Sequence, residues 1–342
     1  MKNVGIDIGS TTVKVVVMDG EKILYKIYQR HLSQVRQATL KALEGAKQFL
    51  DGPFQVAISG SAGLGLAEDA GIDFVQEVFA TYKTVQEYEP DTDAVIELGG
   101  EDAKIIFLSG GLEERMNGSC AGGTGAFIDQ MATLLSVTTE ELDQLSLKHK
   151  RIYPIASRCG VFAKTDVQPL LNEGAKKEDI AASVFQAVVM QTISGLACGR
   201  PIRGNVAFLG GPLHYLSELR QRFIETLGLT DETTIVPDHS HLFVAQGAAL
   251  ASEDNNDTVT LAELKERMAN LGNIQGSEVE RLDPLFANES EYKLFKERHA
   301  QATVPKASLA DYRGRAYLGI DAGSTTIKLV VINTDGVILK SL

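Results

Sequence analysis

The chain has 342 residues, 44% of them apolar and 23% charged, with a net charge of −12. That length predicts about two domains, and the acidic balance argues against a protein held to nucleic acid by electrostatics. No apolar run reaches the roughly 18 residues of a membrane helix, Met1-Lys2-Asn3 does not open a secretory leader, and three widely spaced cysteines make no disulfide framework, so the expectation is a soluble, cytoplasmic globular protein with no membrane or nucleic-acid partner.

The elements read as α/β. Residues 3–8, 13–18 and 21–28 are β-rich runs separated by turn signals, a meander. A helix is predicted over 33–50, ending near Gly52-Pro53, followed by short strands at Gln55–Ser59, Asp93–Leu98 and Lys104–Leu108. Thr124–Leu135 and Ile180–Ala197 carry broad apolar faces at helical spacing. The strand Asn205–Leu209 runs into Gly210-Gly211-Pro212 and a helix reaching about Leu227, and Val244–Ala251 is a small-residue helix fit for close packing. Beyond residue 253 the composition turns polar. Thr260 and Glu263 form a capping-box pattern ahead of Leu261, Leu264, Met268 and Leu271, and a second helix covers about Glu289–His299. The segment 253–316 therefore reads as a helical linker with a solvated charged face.

Residues 5–17, GIDIGSTTVKVVV, return as residues 319–331, GIDAGSTTIKLVV, with ten of the thirteen positions identical. Two such copies imply two copies of one supersecondary unit. The second begins at Tyr317, and 26 residues of it cannot form a core alone, so 317–342 is expected to pair with an available sheet edge or to lack order. On this reading the length records where a longer protein was cut.

Three glycine turns carry the chemistry. In Asp7-Ile8-Gly9-Ser10-Thr11-Thr12-Val13-Lys14 a tight turn offers N–H groups and hydroxyls to phosphate oxygens. Asp7 can hold a hydrated Mg²⁺ or orient a water, and Lys14 can offset phosphate charge. An ordinary hairpin around a buried Asp would look the same. Glu97-Leu98-Gly99-Gly100-Glu101-Asp102-Ala103-Lys104 is a second such turn, and Gly210-Gly211 a third, where a nucleotide could lie over the backbone. No P-loop is present, and the glycines at 60, 63 and 65 have the wrong spacing for a dinucleotide fingerprint.

These turns resemble those of the acetate and sugar kinase, Hsp70 and actin superfamily. The resemblance implies two RNase H-like subdomains with ATP·Mg²⁺ in the cleft between them. Asp7, Gly9, Ser10, Thr11, Thr12 and Lys14 would form the first phosphate loop, Glu97, Gly99, Gly100, Glu101 and Asp102 the second, and Gly210 and Gly211 would contact adenosine. The superfamily usually carries Asp where this chain has Glu97, one methylene longer.

Cys120 and Cys159 each precede a helical stretch, where free N–H groups favour a thiolate and an anionic metal cluster. A cubane cluster takes four cysteines, which two chains on a twofold axis would supply. Buried structural thiols are the alternative for both, and Cys198, at the end of an apolar helix, is read as core. Asn117 and Arg158 flank the pair, and His239-Ser240-His241 reads as surface or capping structure. The stretches NGSCAGGTGAFIDQMA and ASRCGVFAKTDV resemble the activator component of 2-hydroxyacyl-CoA dehydratases and the related benzoyl-CoA reductase ATPase subunits. That resemblance covers about residues 2–252. It implies a [4Fe-4S] cluster held by Cys120 and Cys159 between two protomers, a ferredoxin- or flavodoxin-type electron donor, and an iron-sulfur dehydratase or reductase as acceptor. It implies an ATPase domain over 1–252, with about 1–115 plus the helix near 244–252 as one subdomain and 116–243 as the other. The linker and the second GIDAGSTT start resemble the large members that carry two such units. A sugar or carboxylate kinase with structural cysteines is the alternative, and a nucleotide-gated scaffold a third reading.

Overall fold

A computed structural model describes residues 1–118, 122–157, 160–254, 257–269, 282–323 and 326–342. They fall into two units, Met1–Gly272 and Asn273–Leu342.

The first unit is one topology used twice. Strands β1 (Lys2–Ile8), β2 (Thr12–Asp19) and β3 (Lys22–Arg30) form an antiparallel meander. Helix α1 (Val35–Gly45) leads to β4 (Gln55–Ser59), which pairs parallel to β1, and α2 (Leu64–Ala70) leads to β5 (Asp73–Phe74). The order is β3-β2-β1-β4-β5. After α3 (Glu77–Tyr88) the pattern restarts with β6 (Ala94–Leu98), β7 (Ala103–Phe107) and β8 (Glu113–Met116). Helices α4 (Gly125–Leu135), α5 (Thr139–Ser146), α6 (Gly160–Asn172) and α7 (Lys177–Thr192) follow, then β9 (Val206–Leu209), α8 (Gly211–Tyr215), α9 (Ser217–Leu227) and β10 (Thr234–Ile235). This sheet runs β8-β7-β6-β9-β10, the first order again, with β6 and β9 parallel. Helix α10 (Phe243–Ser252) follows β10 as α3 follows β5.

The central strands are buried almost throughout because both sheet faces are covered, and their apolar residues fill the cores on either side. Val4, Ile6 and Ile8 of β1 pack with Leu43 of α1, while Val16 and Met18 on the other face meet Ala245 and Ala249 of α10. In the second sheet Ile96 and Leu98 pack with α4, α7 and α9, and Val95 and Ile106 with Val78 and Val85 of α3 and Phe243 of α10. Helices α3 and α10 thus lie between the sheets. Glycine sets their approach: a Cβ on Gly247 of α10 would sit 1.9 Å from the Ala80 carbonyl oxygen of α3, and one on Gly5 of β1 1.8 Å from that of Ala245.

Four expectations need correction. The first subdomain does not extend to residue 115, because β6, β7 and β8 belong to the second sheet, where β6 is the central strand. The chain crosses over through α3, and α10 packs on β1, β2 and β4 of the first sheet. The segment after 253 is not all linker. Val259 pairs with Phe54, and α11 (Leu261–Ala269), capped by Thr260 and Glu263, buries Leu261, Leu264 and Met268 against the core of the first sheet; Leu271 lies outside the described residues. The helical run Lys177–Ala197 is long and apolar enough to cross a membrane by length and composition, contrary to the sequence reading. It is a core helix here: Ile180, Val184, Phe185 and Val188 are fully buried, and α7 packs against α5 and α9.

The fourth correction concerns the second unit, which contains α12 (Glu289–Ala300) and strands β11 (Ala316–Ala322), β12 (Ile327–Asn333) and β13 (Ile338–Ser341). Instead of an added edge or a segment without order, the described residues form a three-stranded sheet of their own in the order β11-β12-β13, the first three strands of the repeated topology. Every residue of β11 is exposed.

Candidate functional site

The repeat extends to side chains. Asp7, the last residue but one of β1, pairs with Lys14 on β2; Glu97, the last but one of β6, pairs with Lys104 on β7. Each turn closes through a glycine: the Gly9 N–H donates to the Thr12 carbonyl at 2.9 Å, and the Gly99 N–H to that of Asp102 at 2.7 Å. The third copy does likewise, with Gly323 donating to Thr326 at 3.0 Å and Lys328 Nζ 2.8 Å from Asp321. The shared pattern is an acid, a glycine two residues on, and a lysine seven residues on.

The first two turns face each other. A Cβ on Gly100 would lie 2.3 Å from Thr11 Oγ1 and 3.0 Å from Ser10 Oγ. Beneath them is a buried charge network. Lys14 Nζ is 2.8 Å from Asp7 Oδ2. Burial pushes the Asp7 carboxyl above its usual range even with Lys14 alongside. Lys104 is 4% exposed, and its ammonium lies 2.5 Å from Glu77 Oε2 and 3.4 Å from Glu97 Oε1. Burial opposes its charge, but Glu97 and Glu77 together hold it above the ordinary lysine range. Burial likewise opposes the charge of Glu77, yet Lys104 and the Ser61 N–H, which donates to Oε1 at 2.9 Å, keep that carboxyl below its usual range. The other Glu97 oxygen accepts from Thr81 Oγ1 at 3.2 Å.

The third turn sits beside these. Gly210, at φ +89°, lies where a Cβ would come 2.1 Å from the Leu98 carbonyl oxygen, and Gly211 fits beneath the Tyr28 hydroxyl. A small cavity is lined by Asp7, Thr12, Lys14, Glu97, Gly99, Gly100, Gly210 and Gly211. A larger one of about 290 Å³ shares Thr12, Gly100 and Gly211 and continues past Thr11, Ile128, Pro212 and Tyr215. One end offers hydroxyls, backbone and charge, and the other a wall of Tyr28, Tyr215, Ile128 and Pro212 with the charged Arg30, Asp129 and Glu140 beside it. That division suits a nucleoside phosphate with its metal counter-ion near Asp7. Gly9 closes its turn, while Ser10, Glu101 and Asp102 do not line these two cavities.

Several residues at the cleft were not legible beforehand. Glu77 and Thr81 lie one turn apart on α3, and nothing in the sequence ties that helix to Glu97. Arg30 of β3 reaches across the cleft to Asp129 of α4 with two bonds, 2.7 and 3.0 Å, and Thr139 also donates to Asp129. Tyr28, His214, Tyr215 and His241 form a ring cluster, with the two imidazole centroids 3.9 Å apart. His239 meets Lys26 instead. Among the described residues no group of three or more His, Cys, Asp or Glu is arranged to hold a metal ion.

Cys120, Cys159 and Arg158 lie outside the described residues. Their neighbours converge. Asn117, Gly118, Gly122 and Ser157 line one open cavity of about 580 Å³ together with Gln191 and Ser194. Helix α6 starts at Gly160, where a Cβ would be 3.2 Å from the Phe127 ring of α4. The first N–H groups of α4, on Gly125 and Ala126, donate to the Gly99 and Gly100 carbonyls at 3.0 and 2.7 Å. Val161 and Phe162, just after Cys159, are 70% and 65% exposed. Cys198 is not core as expected. The last turn of its helix widens to a π-turn over Ile193–Ala197, and Cys198 then adopts a left-handed conformation at φ 44° that leaves it exposed.

The profile of the BadF/BadG/BcrA/BcrD ATPase family matches residues 4–252. The 2-hydroxyisocaproyl-CoA dehydratase activator of Clostridioides difficile is 31% identical over 268 residues, 74% of this chain and 96% of that protein. The (R)-2-hydroxyglutaryl-CoA dehydratase activating ATPase of Acidaminococcus fermentans is 31% identical over 264 residues, covering 72% and 95%. Among solved structures, the activator of the 2-hydroxyisocaproyl-CoA dehydratase from Clostridium difficile with bound ADPNP matches with a TM-score of 0.61 at 28% identity, over 83% of this chain and 100% of that one. With its two RNase H-like subdomains and the acid-glycine-lysine turns between them, the chain belongs to the BadF/BadG/BcrA/BcrD ATPase family and is an ATPase.

Proposed function

We propose that this cytoplasmic protein uses ATP hydrolysis to deliver a low-potential electron to an iron-sulfur dehydratase or reductase. Two protomers would share one [4Fe-4S] cluster, each giving Cys120 and Cys159, and a ferredoxin- or flavodoxin-type protein would refill it. The observation that carries this reading is the shared cavity at the flanks of both cysteine segments, tied to the nucleotide turns through α4. The exposed Val161 and Phe162 supply an apolar surface for a second copy beside it. The activators among the relatives give the reading its acceptor class.

In the cleft, Asp7 would hold Mg²⁺ through water, and Lys14 and the turn N–H groups would offset the phosphate charge. Glu97 would orient the attacking water and accept its proton as the terminal phosphate is released. The cluster supplies a one-electron carrier when bound. A change at Gly99 or Gly100 on hydrolysis would reach Gly125 and Ala126 through two hydrogen bonds, and so the segment that bears Cys120.

Anaerobic purification tests this. Brown protein with about four irons per dimer is expected, and Cys120→Ser or Cys159→Ser should abolish the colour while Cys198→Ser should not. Colourless protein that takes up no iron on reconstitution, or ATP turnover that depends on an added sugar or carboxylic acid, would overturn the proposal.

A further inference from the structure

The first two acid-lysine hairpins share a topology but not an electrostatic state. In the first, Lys14 pairs directly with Asp7 at 2.8 Å. In the second, Lys104 stands 2.5 Å from Glu77 and only 3.4 Å from Glu97. A bond of 2.5 Å to a charged group is short and strong, whereas 3.4 Å lies beyond the normal range for N–H···O. Lys104 therefore pairs with both carboxylates but gives its close hydrogen bond to Glu77, and one oxygen of Glu97 has only a long one. Glu77 is itself fixed by the Ser61 N–H, and Thr81, one turn further along α3, holds the other Glu97 oxygen. One face of α3 thus sets both the lysine and the carboxylate. Glu97 lines the small cavity beside Asp7 and Lys14, so the weakly engaged oxygen belongs to a group at the nucleotide cleft.

We propose that Glu77 is a positioning residue for hydrolysis: by drawing Lys104 towards itself, it leaves one oxygen of Glu97 without a close protein donor and turned to the attacking water. This rests on the reading of Glu97 as the group that orients water. Without the Glu77 charge, Lys104 closes on Glu97, and both carboxylate oxygens become tied to protein donors. No Glu97 oxygen is then left to take the proton of the attacking water.

The test is steady-state ATPase of the full chain, purified anaerobically, for Glu77→Gln, Glu77→Asp, Glu97→Gln and the Glu77→Gln/Glu97→Gln double variant, with ADPNP binding measured in parallel. Glu77→Gln should lower kcat about tenfold, and Glu97→Gln by about a hundredfold or more. KM for ATP and the affinity for ADPNP should stay within about twofold for Glu77→Gln. The double variant should be no slower than Glu97→Gln alone, because both changes remove one function. Glu77→Asp keeps the charge and the fold but shortens the reach, and a drop in kcat of about threefold is expected. Wild-type kcat in folded Glu77→Gln or Glu77→Asp protein, a Glu77→Gln loss that multiplies with that of Glu97→Gln, or equal losses of kcat and ADPNP affinity would overturn the proposal. Wild-type kcat in Glu97→Gln would overturn the reading of Glu97 itself, and the role of Glu77 with it.

Discussion

Replacing Gly247 with Ala sets two effects of opposite sign against each other. Gly247 lies inside α10, and Ala in a helix interior is favoured over Gly by about 1 kcal/mol. Its Cβ, however, would sit 1.9 Å from the Ala80 oxygen, 2.4 Å from the Ala80 carbonyl carbon and 2.7 Å from its Cα. These are backbone atoms of α3, so no rotamer change relieves the clash. Reaching an ordinary contact of 3.4 Å requires the two helices to part by about 1.5 Å. Overpacking of this kind costs ~1–3 kcal/mol, and here the upper end applies because backbone must move. The net expectation is a loss of ~2 kcal/mol, or about 5 °C in Tm for a unit of this size. Separation of α3 from α10 also shifts Glu77 and Thr81, so kcat for ATP should fall more than the affinity for ADPNP. Urea titration followed by circular dichroism reads the first effect, and steady-state ATPase the second. Gly65→Ala is the control. It lies in α2 with open space where the Cβ would go, and should stabilise by ~0.5–1 kcal/mol. A Gly247→Ala protein as stable as the parent, with unchanged kcat, would refute the account of α3 and α10 as a pair held in contact by glycine.

Three further outcomes are expected. Asp7→Asn strips the counter-charge from the buried Lys14 and should cost ~3 kcal/mol of stability in urea titrations, while ATPase activity falls at least about a hundredfold. Arg30→Gln removes the bidentate link to Asp129 across the cleft; since that pair is partly exposed, it is worth at most ~1 kcal/mol. The affinity for ATP by calorimetry should weaken about two- to fivefold at low salt, and the difference should shrink at high salt. His241 is held neutral, first by burial and then by the nearby His214, His239, Lys26 and Lys14, with its pKa lowered from 6.5 to about 3. The unfolded chain therefore binds a proton near pH 6.5 that the folded chain refuses, so stability is full above pH 6.5 and declines as the pH falls towards about 3. Discounted for partial exposure, the loss at pH 5 is ~1 kcal/mol. Urea titrations at pH 7.5 and 5 should show a smaller difference for His241→Gln than for the parent.

What the sequence determined by itself is local. The acid, glycine and lysine of each hairpin lie within eight residues, and the turn closes on its own backbone, so Asp7–Lys14 and Glu97–Lys104 could be read from spacing. The Thr260–Glu263 cap is local too and starts its helix as predicted. That β6 belongs to the second sheet was not local. The strand Ala94–Leu98 is apolar enough for either sheet, and its parallel pairing with β9, more than a hundred residues later, decides the matter. The polar surface of α11 suggested a linker, but its three apolar residues gain more by covering α1 and α2 than by facing water. Glu77 and Arg30 look like ordinary surface charges in sequence. Only the crossing of α3 beneath the second hairpin, and the approach of β3 to α4, turn them into the counter-ion of a buried lysine and a bond across the cleft, because their partners become neighbours only when the two sheets have folded around α3 and α10.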